Sequence, residues 1–218
     1  MAKNYFKENP FAWILILLTI ELIGSGIGTD SAIVRIITLG VFFALTILCV
    51  YFAKGNGFPF KFVSVLSALC FIAGIFLDRI YFDSWIYIFI VLAIPTMGSA
   101  SYYVLTYIFK KGRVSANKIY AAVCIYLLLG LMFGFTYFGI DMKFPGSFHS
   151  ADHILEHTDQ LPYIYFSFTT LTTLGFGDIT PVGSLSQNLT SIEAIMGQLF
   201  LTVLIARLVG LHIVESNH

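Results

Sequence analysis

Apolar residues group into six long runs, separated by shorter stretches that carry most of the charge. A membrane-spanning helix needs about 20 predominantly apolar residues, and each run is close to that length. The pattern therefore predicts an all-α integral membrane protein with six spans. The runs cover about 10–28, 31–53, 59–77, 84–109, 116–140 and 189–213.

The charged residues between the runs alternate in sign along the chain. Basic residues collect at one set of ends: Lys3, Lys7, Lys54, Lys61, Lys110, Lys111, Arg113 and Lys118. Acidic residues collect at the other set: Asp30, Asp78, Asp83, Asp141, Asp152, Glu156 and Asp159. Because cytoplasmic loops carry an excess of lysine and arginine, both termini are expected in the cytoplasm and residues 141–188 outside it.

The first apolar run also imitates a secretory signal, since residues 11–23 follow Lys3 and Lys7. However, Glu21 interrupts the end of the run, and membrane-like sequence resumes at Ala32. These features favour a retained span, with a removed signal peptide as the alternative.

Composition indicates lipid rather than water as the surroundings of the chain. Of its 218 residues, 58% are hydrophobic and 11% are charged, whereas a soluble domain has about 25% charged residues. The mean hydropathy is +0.87, and the net charge of zero gives no indication of a nucleic-acid partner. The three cysteines lie inside apolar runs without metal-binding spacing. We therefore expect a multi-pass protein of the cell membrane, such as a bacterial inner membrane, surrounded by lipids.

The region between the fifth and sixth runs divides into three parts. Residues 141–160 are polar and predicted to be exposed. Residues 161–172 (LPYIYFSFTTLT) predict a helix, since Pro162 suits a first helical turn. Such a helix is about 18 Å long, too short to cross a hydrocarbon core of about 30 Å. The chain must therefore re-enter the membrane and return, and residues 173–178 (TLGFGD) follow as an extended segment.

The extended segment at 173–178 predicts a cation pathway. Non-helical backbone at membrane depth persists only where it is buried in protein or lines water. Several copies around one axis would direct rows of carbonyl oxygens inward, where they could replace the hydration shell of a monovalent cation. Gly175 and Gly177 permit the positive φ angles that orient successive carbonyls alike. The carbonyl end of the preceding helix would also favour a cation.

The stretch TTLTTLGFGD resembles the signature of the potassium channel family, usually written TxTTVGYGD. The resemblance covers about residues 116–213, in the order outer helix, pore helix, filter and inner helix. It implies a homotetramer with K⁺ ions in the filter and no other cofactor, and the intact GFG favours K⁺ over Na⁺. The implied filter residues are Thr173, Leu174, Gly175, Phe176, Gly177 and Asp178.

The resemblance also implies which side chains support the filter. Phe176 lacks the usual tyrosine hydroxyl, so the outer filter loses a hydrogen bond to the pore helix. Tyr165 occupies the pore-helix position whose aromatic side chain donates to the filter aspartate, here Asp178, and we expect this pair to be the main clamp. Thr169 stands where some bacterial channels keep a glutamate, and Thr172 completes the predicted support.

The inner helix carries two candidate functional residues besides its cavity lining. Gly197 lies at the spacing of the family's inner-helix glycine, which predicts either a gating hinge or a packing contact. Glu193 is an acid inside a span and therefore a functional candidate. It is expected behind the filter, bonded to pore-helix hydroxyls such as those of Thr169 or Thr170, with a satisfied structural carboxyl as the alternative. Helical spacing predicts the cavity-side residues Gln198, Leu201 and Ile205.

Residues 1–113 form a predicted N-terminal domain of four spans, and residues 114–218 form the predicted pore domain. A voltage sensor repeats arginine along its fourth span, but here that span has no lysine or arginine before Lys110. We therefore expect no voltage sensing by this mechanism. Glu21 and Arg35 are isolated charges that either pair or reach headgroups. The pore domain is predicted to comprise an outer helix at 116–140, a loop at 141–160, a pore helix at 161–172, a filter at 173–178 and an inner helix at 189–213.

Histidines in the extracytoplasmic loop suggest a different chemistry. His153-Ile-Leu-Glu156-His157 matches the HxxEH pattern of a family of zinc peptidases. It lies in a short loop without a predicted further ligand, so we do not expect an enzyme. His149, His153 and His157 recur at four-residue spacing and are candidates for a pH sensor or a Zn²⁺ or Cu²⁺ site, or for a solvated helix face.

These features together predict a K⁺-selective channel that conducts passively across the membrane. A non-conducting accessory subunit of another channel is the alternative function.

Overall fold

The structure is a computed structural model, and the residues that it describes form five helices and two short strands. The chain divides into two compact units, residues 1–128 and residues 129–218. The predicted division at residue 113 stays a prediction. The described residues are 9–24, 82–110, 115–150 and 160–216, with isolated helical positions at 51, 62, 65, 66 and 69.

The first unit contains helix α1 (Pro10–Gly24), helix α2 (Phe82–Phe109) and the beginning of helix α3 (Ala116–Lys143). The predicted spans at 31–53 and 59–77 lie almost wholly outside the described residues, and so does Arg35, so the alternatives for Glu21 and Arg35, pairing or reaching headgroups, stay open. One face of α1 is buried, and its buried side chains recur at helical spacing: Phe11, Ile14 and Leu18.

Asn117 joins the three helices that the structure describes in the first unit, at one end. The backbone N–H of Phe11, at the start of α1, donates to Asn117 Oδ1 at 3.0 Å. Asn117 Nδ2 in turn donates to the Tyr107 hydroxyl of α2 at 2.9 Å. The first backbone amides of a helix have no partner within it, so this side chain satisfies one of them.

The second unit contains the rest of α3, strand β1 (Phe148–Ser150), helix α4 (Leu161–Leu171), strand β2 (Ile179–Pro181) and helix α5 (Ser184–Ser216). Helix α4 corresponds to the predicted pore helix. The predicted inner helix corresponds to α5, which begins at Ser184 rather than at residue 189. Its earlier start follows the strand β2, which ends only three residues before Ser184.

Two of the described helices are long and apolar enough to cross a membrane, Ala116–Lys143 and Ser184–Arg207 within α5. These helices are consistent with a membrane protein. The described residues do not extend the count to the predicted six spans.

The chain is mostly helical, as predicted, but the described part of residues 141–160 is not the exposed loop that the sequence predicted. Helix α3 continues to Lys143, and β1 pairs antiparallel with β2, with Phe148 opposite Pro181 and Ser150 opposite Ile179. Asp141 is only 2% exposed, and Phe148 is 5% exposed. The physical reason is that Phe148 of this polar stretch is a large aromatic side chain, which the core buries together with its strand.

Four aromatic rings form the core at this end of the second unit. The Phe148 centroid lies 5.3 Å from that of Tyr137, 5.4 Å from that of Phe166 and 5.7 Å from that of Tyr163. The Tyr137 and Phe166 centroids are 5.3 Å apart. Edge-to-face pairs at such distances are favourable beyond their buried area. The cluster therefore fixes α4 against both α3 and the strand β1.

Glycines allow α4 to approach α3 closely along its length. A β-carbon on Gly130 would lie 2.5 Å from the ring of Phe168, and one on Gly134 would lie 2.8 Å from the Cα atom of Ile164. Two small residues four positions apart are a common helix-packing surface in membranes. The short helix α4 packs against this surface of the long helix α3.

Candidate functional site

The chain turns sharply at the end of α4 and enters the filter segment, residues 173–178. The Thr169 carbonyl accepts hydrogen bonds from the Leu174 and Gly175 amides at 2.8 and 3.2 Å. The Thr170 carbonyl accepts one from the Thr173 amide at 2.9 Å. The last turn of the helix therefore holds the beginning of the filter segment through the backbone alone.

Positive φ angles recur at every second residue of the filter segment. The φ angles are 60° at Thr173, 54° at Gly175 and 79° at Gly177, whereas Leu174 and Phe176 do not have positive φ. In a strand successive residues face opposite ways, but alternation of right- and left-handed backbone gathers the carbonyls on one side and the amides on the other. The segment can therefore present a row of carbonyl oxygens.

Thr173 adopts its left-handed conformation without the freedom of a glycine. Such a conformation costs an L-residue about 1–2 kcal/mol, and it is a genuine outlier for a β-branched side chain. Strained backbone of this kind concentrates at functional sites. No steric crowding requires glycine at 175 or 177, where a β-carbon would meet no atom within 4 Å, so only their φ angles require it.

The filter segment is exposed in a single chain. Leu174 is 62% exposed and Phe176 is 66% exposed, and the residues between Thr172 and Gly177 are all exposed. A row of carbonyls on one chain reaches an ion from one side only.

The structure brings Tyr165 and Asp178 together at the outer end of the filter segment. The Tyr165 hydroxyl lies near enough to the Asp178 carboxyl to hold its pKa below the ordinary value, with hydrogen bonding between the two groups as the largest cause and desolvation opposing it. The contact that the sequence predicted is present, and its role as the main clamp stays a prediction.

Strand β2 follows Asp178 directly, and its pairing with β1 places His149 opposite Thr180. His149 is exposed there. His153, Glu156 and His157 lie outside the described residues, so the predicted histidine face is seen only at its first member. Among the residues that the structure describes, no group of metal-ligating side chains occurs.

Thr169 and Thr172 support the last turn of α4 rather than the filter segment itself. The Thr169 hydroxyl donates to the Phe166 carbonyl at 2.9 Å, and the Thr172 hydroxyl donates to the Phe168 carbonyl at 2.6 Å. Both bonds remain within the helix end. Thr169 nevertheless contributes to the filter segment through its backbone carbonyl.

Glu193 is fully buried behind α4, but its partners differ from the predicted ones. The Tyr137 hydroxyl donates to Glu193 Oε2 at 2.6 Å, and Glu193 Oε1 is hydrogen-bonded to the Ser167 hydroxyl. Glu193 therefore does bond a hydroxyl of the pore helix, but at Ser167 rather than at Thr169 or Thr170, the residues named from the sequence. Two helical residues further along, a side chain points about 200° away, so Ser167 rather than Thr169 faces α5.

Gly197 lies against the end of α4. A β-carbon there would come within 2.3 Å of the Leu171 carbonyl oxygen, and α5 is one continuous helix through this position. The structure thus gives direct support to the packing interpretation of this glycine, and the hinge stays a prediction.

Gln198 connects α5 to the inner end of the filter segment. Its Nε2 donates to the Thr173 hydroxyl at 3.2 Å. Leu201 and Ile205 follow at helical spacing on the same side, and both are exposed in the single chain. The three predicted cavity residues therefore share one free face, with the polar one nearest the filter segment.

Several site residues were not predicted from the sequence, including Tyr137, Ser167 and Asp141. Asp141 accepts from the Tyr163 hydroxyl at 2.6 Å and from the Phe148 amide at 3.3 Å, and so joins α3, α4 and β1. The position of Asp141 could have indicated a role, because an acid in the last turn of a helix interacts unfavourably with the helix dipole and is therefore unexpected there without a compensating contact. The spacing of Gly130 and Gly134 in an apolar run was a second signal.

Comparison with known proteins agrees with the geometry of the second unit. Residues 119–211 match the model of the family described as ion channel. The matched stretch includes α4, the filter segment and most of α3 and α5, and it supports an ion channel pore module in this part of the chain. The ion channel family is not a class of enzymes. No curated protein and no solved structure matches the chain.

Proposed function

We propose that the chain is a K⁺-selective channel that conducts K⁺ passively through a pore lined by Thr173–Asp178 of several copies. One observation carries the proposal, the recurrence of left-handed backbone at Thr173, Gly175 and Gly177. Carbonyl oxygens gathered on one side can replace the hydration shell of a dehydrated cation. The four oxygens of Thr173 to Phe176, with the Thr173 hydroxyl, are the proposed ligands, and K⁺ is the only proposed bound ion.

A homotetramer is the proposed assembly. The exposed filter segment encloses an ion only when other copies face it, and the resemblance to potassium channels implies fourfold symmetry. Helix α5 also leaves large apolar side chains uncovered, which subunits and lipids would share: Leu185, Ile192, Ile195, Met196, Leu199, Val203 and Ile205.

Selectivity for K⁺ over Na⁺ is supported by Phe176. Non-selective relatives of potassium channels carry an acidic residue at this position, and a carboxylate would add a flexible charged ligand to the carbonyl row. The side chain of Phe176 adds neither a charge nor a polar ligand. Asp178, at the outer end, keeps its charge outside the row.

Gating by an arginine-bearing fourth span is not part of the proposal. Helix α2, the fourth predicted span, contains no arginine or lysine between Phe82 and Phe109. A charge must move across the membrane potential for voltage to do work on a protein. From the distribution of basic residues, we place the protein in a cell membrane such as a bacterial inner membrane, with both termini cytoplasmic.

Flux into liposomes tests the proposal. Purified protein in vesicles with a K⁺ gradient should support K⁺ flux that Ba²⁺ blocks and that Na⁺ does not replace. Gly175→Ala should abolish selective flux, because alanine at φ 54° disfavours the left-handed backbone by about 1–2 kcal/mol.

Gly146→Ala is the matched control for this substitution. Gly146 also has a positive φ, of 85°, and a β-carbon there would likewise meet no atom within 4 Å. It lies outside the filter segment, so the variant should keep selective flux. Absence of wild-type flux under every ionic condition would contradict the proposal and favour the non-conducting accessory subunit.

A further inference from the structure

Glu193 presents an unusual buried carboxyl in the middle of a membrane-crossing helix. It is 0% exposed, and it meets one hydroxyl at each oxygen, Tyr137 at Oε2 and Ser167 at Oε1. Within the described part of the chain, no lysine, arginine or histidine forms an ion pair with it. An ionised carboxylate buried without a cationic partner costs several kcal/mol.

Whether Glu193 is ionised or protonated follows from the number of protons available for its hydrogen bonds. The Ser167 oxygen lies 2.7 Å from the Gly130 carbonyl oxygen and also within hydrogen-bond distance of Glu193 Oε1. A serine hydroxyl carries one proton, whereas a carbonyl and an ionised carboxylate carry none. With an ionised Glu193, one of these two short oxygen contacts would have no hydrogen between its atoms.

A proton on Glu193 supplies the missing hydrogen. Glu193 Oε1–H then donates to Ser167, Ser167 donates to the Gly130 carbonyl, and Tyr137 donates to Oε2. Each of the three contacts then contains one proton. Each donor also has an acceptor, as buried polar groups require.

We propose that Glu193 is held as the neutral carboxylic acid and acts as a positioning residue, donating through Ser167 to Gly130 and so fixing α4 between α3 and α5. The protonation of Glu193 does not depend on the proposed channel function; only the effect of Glu193 on conduction rests on that function. Four neutral acids behind the filter segments of a tetramer would hold the pore helices in place without adding four negative charges beside the ions.

Infrared spectroscopy of the purified wild-type protein and of Glu193→Gln tests the protonation directly. A protonated carboxyl has a C=O stretching band above the amide bands, so the wild type minus variant difference should contain one such band. If the difference instead contained the bands of an ionised carboxylate and no protonated band, the inference would be overturned. Asp141, the other acid seen buried among the described residues of the second unit, is present in both proteins and cancels.

Tyr137→Phe gives a second measurement that keeps Glu193 in place. The tyrosine hydroxyl donates to Oε2, the carbonyl oxygen of the proposed acid, and such a bond lowers the frequency of the stretch. The variant should therefore move the band to higher frequency. An unshifted band would contradict the proposed arrangement of the protons.

Flux measurements separate this inference from the proposed function. The amide of Glu193→Gln can donate to Ser167 and accept from Tyr137, so its K⁺ flux should stay within about twofold of wild type, whereas Glu193→Ala should lose most flux by leaving both hydroxyls unpartnered. A loss in the glutamine variant equal to that in the alanine variant would overturn the positioning role. A protonated band without any wild-type flux would contradict the channel proposal alone.

Discussion

The close contact between Gly197 and the Leu171 carbonyl oxygen predicts the effect of Gly197→Ala on stability. The substitution should destabilise the protein if packing dominates and stabilise it if helix propensity dominates. In Gly197→Ala the new β-carbon would lie 2.3 Å from that oxygen, and real β-carbons essentially never come closer than 3.0 Å. The two atoms must therefore separate by at least 0.7 Å, from 2.3 to 3.0 Å. The obstacle is a backbone atom, which no side-chain rotation can remove.

Two opposing energies set the expected size of this effect. Alanine stabilises a helix by about 1 kcal/mol relative to glycine, while overpacking a close contact destabilises by about 1–3 kcal/mol. The expected net destabilisation is therefore about 0–2 kcal/mol per chain, with the strain at the end of α4. Because Leu171 is two residues before Thr173, relief of the clash displaces the filter segment.

Thermal unfolding of the purified protein in detergent and K⁺ flux in liposomes measure the two consequences. Gly197→Ala should melt at or below the wild-type temperature and should lose selective flux. Gly183→Ala is the matched control, since a β-carbon at that position first meets an atom at 3.4 Å, an ordinary contact. A Gly197→Ala protein that melts higher than wild type and keeps its flux would refute the reasoning.

Three further predictions concern the two ends of the filter segment. Tyr165→Phe removes the hydrogen bond to Asp178 and should speed inactivation severalfold in bilayer recordings; unchanged conduction and inactivation would contradict the clamp. Gln198→Met removes the donor to the Thr173 hydroxyl and should change the affinity for cytoplasmic Ba²⁺ severalfold. Thr202→Val, whose hydroxyl bonds only the Gln198 carbonyl of its own helix, should leave that affinity unchanged, and equal effects of the two variants would count against the contact. The pKa of Asp178 is lowered in the folded protein, so its contribution to stability is present above its ordinary pKa and is lost only as pH falls through the lower folded value. Titration of Asp178 should therefore not reduce the flux between about pH 8 and about pH 5. A decline of the wild-type flux in this range that Asp178→Asn does not show would contradict this.

The sequence predicted the part of the fold whose signals are local. A short apolar helix before two glycines was enough to predict α4 and the filter segment, since length excludes a full span and glycine permits positive φ. The contact between Tyr165 and Asp178 was predicted as well, because the resemblance supplied a partner that spacing alone does not.

Other features depend on which helix faces meet, and a single sequence does not contain that information. Glu193 was expected near a hydroxyl of α4, yet the choice of Ser167 over Thr169 depends on the rotation of that helix about its axis. Burial of Asp141 and Phe148 depends on the pairing of β1 with β2, two segments about thirty residues apart that carry no strand pattern of their own. The positive φ of Thr173 has no local signal either.

The pairing of β1 with β2 also has a consequence for the order of folding. It joins Phe148 to Pro181 and Ser150 to Ile179, and closing a loop of about thirty residues costs roughly 3 kcal/mol of chain entropy. Three paired residues recover little of that cost by themselves, whereas docking of α4 against α3 first shortens the loop that remains to be closed. We therefore expect the outer mouth of the site to form after the short helix has docked, and a change that weakens the contact of α4 with α3 to slow the maturation of this region.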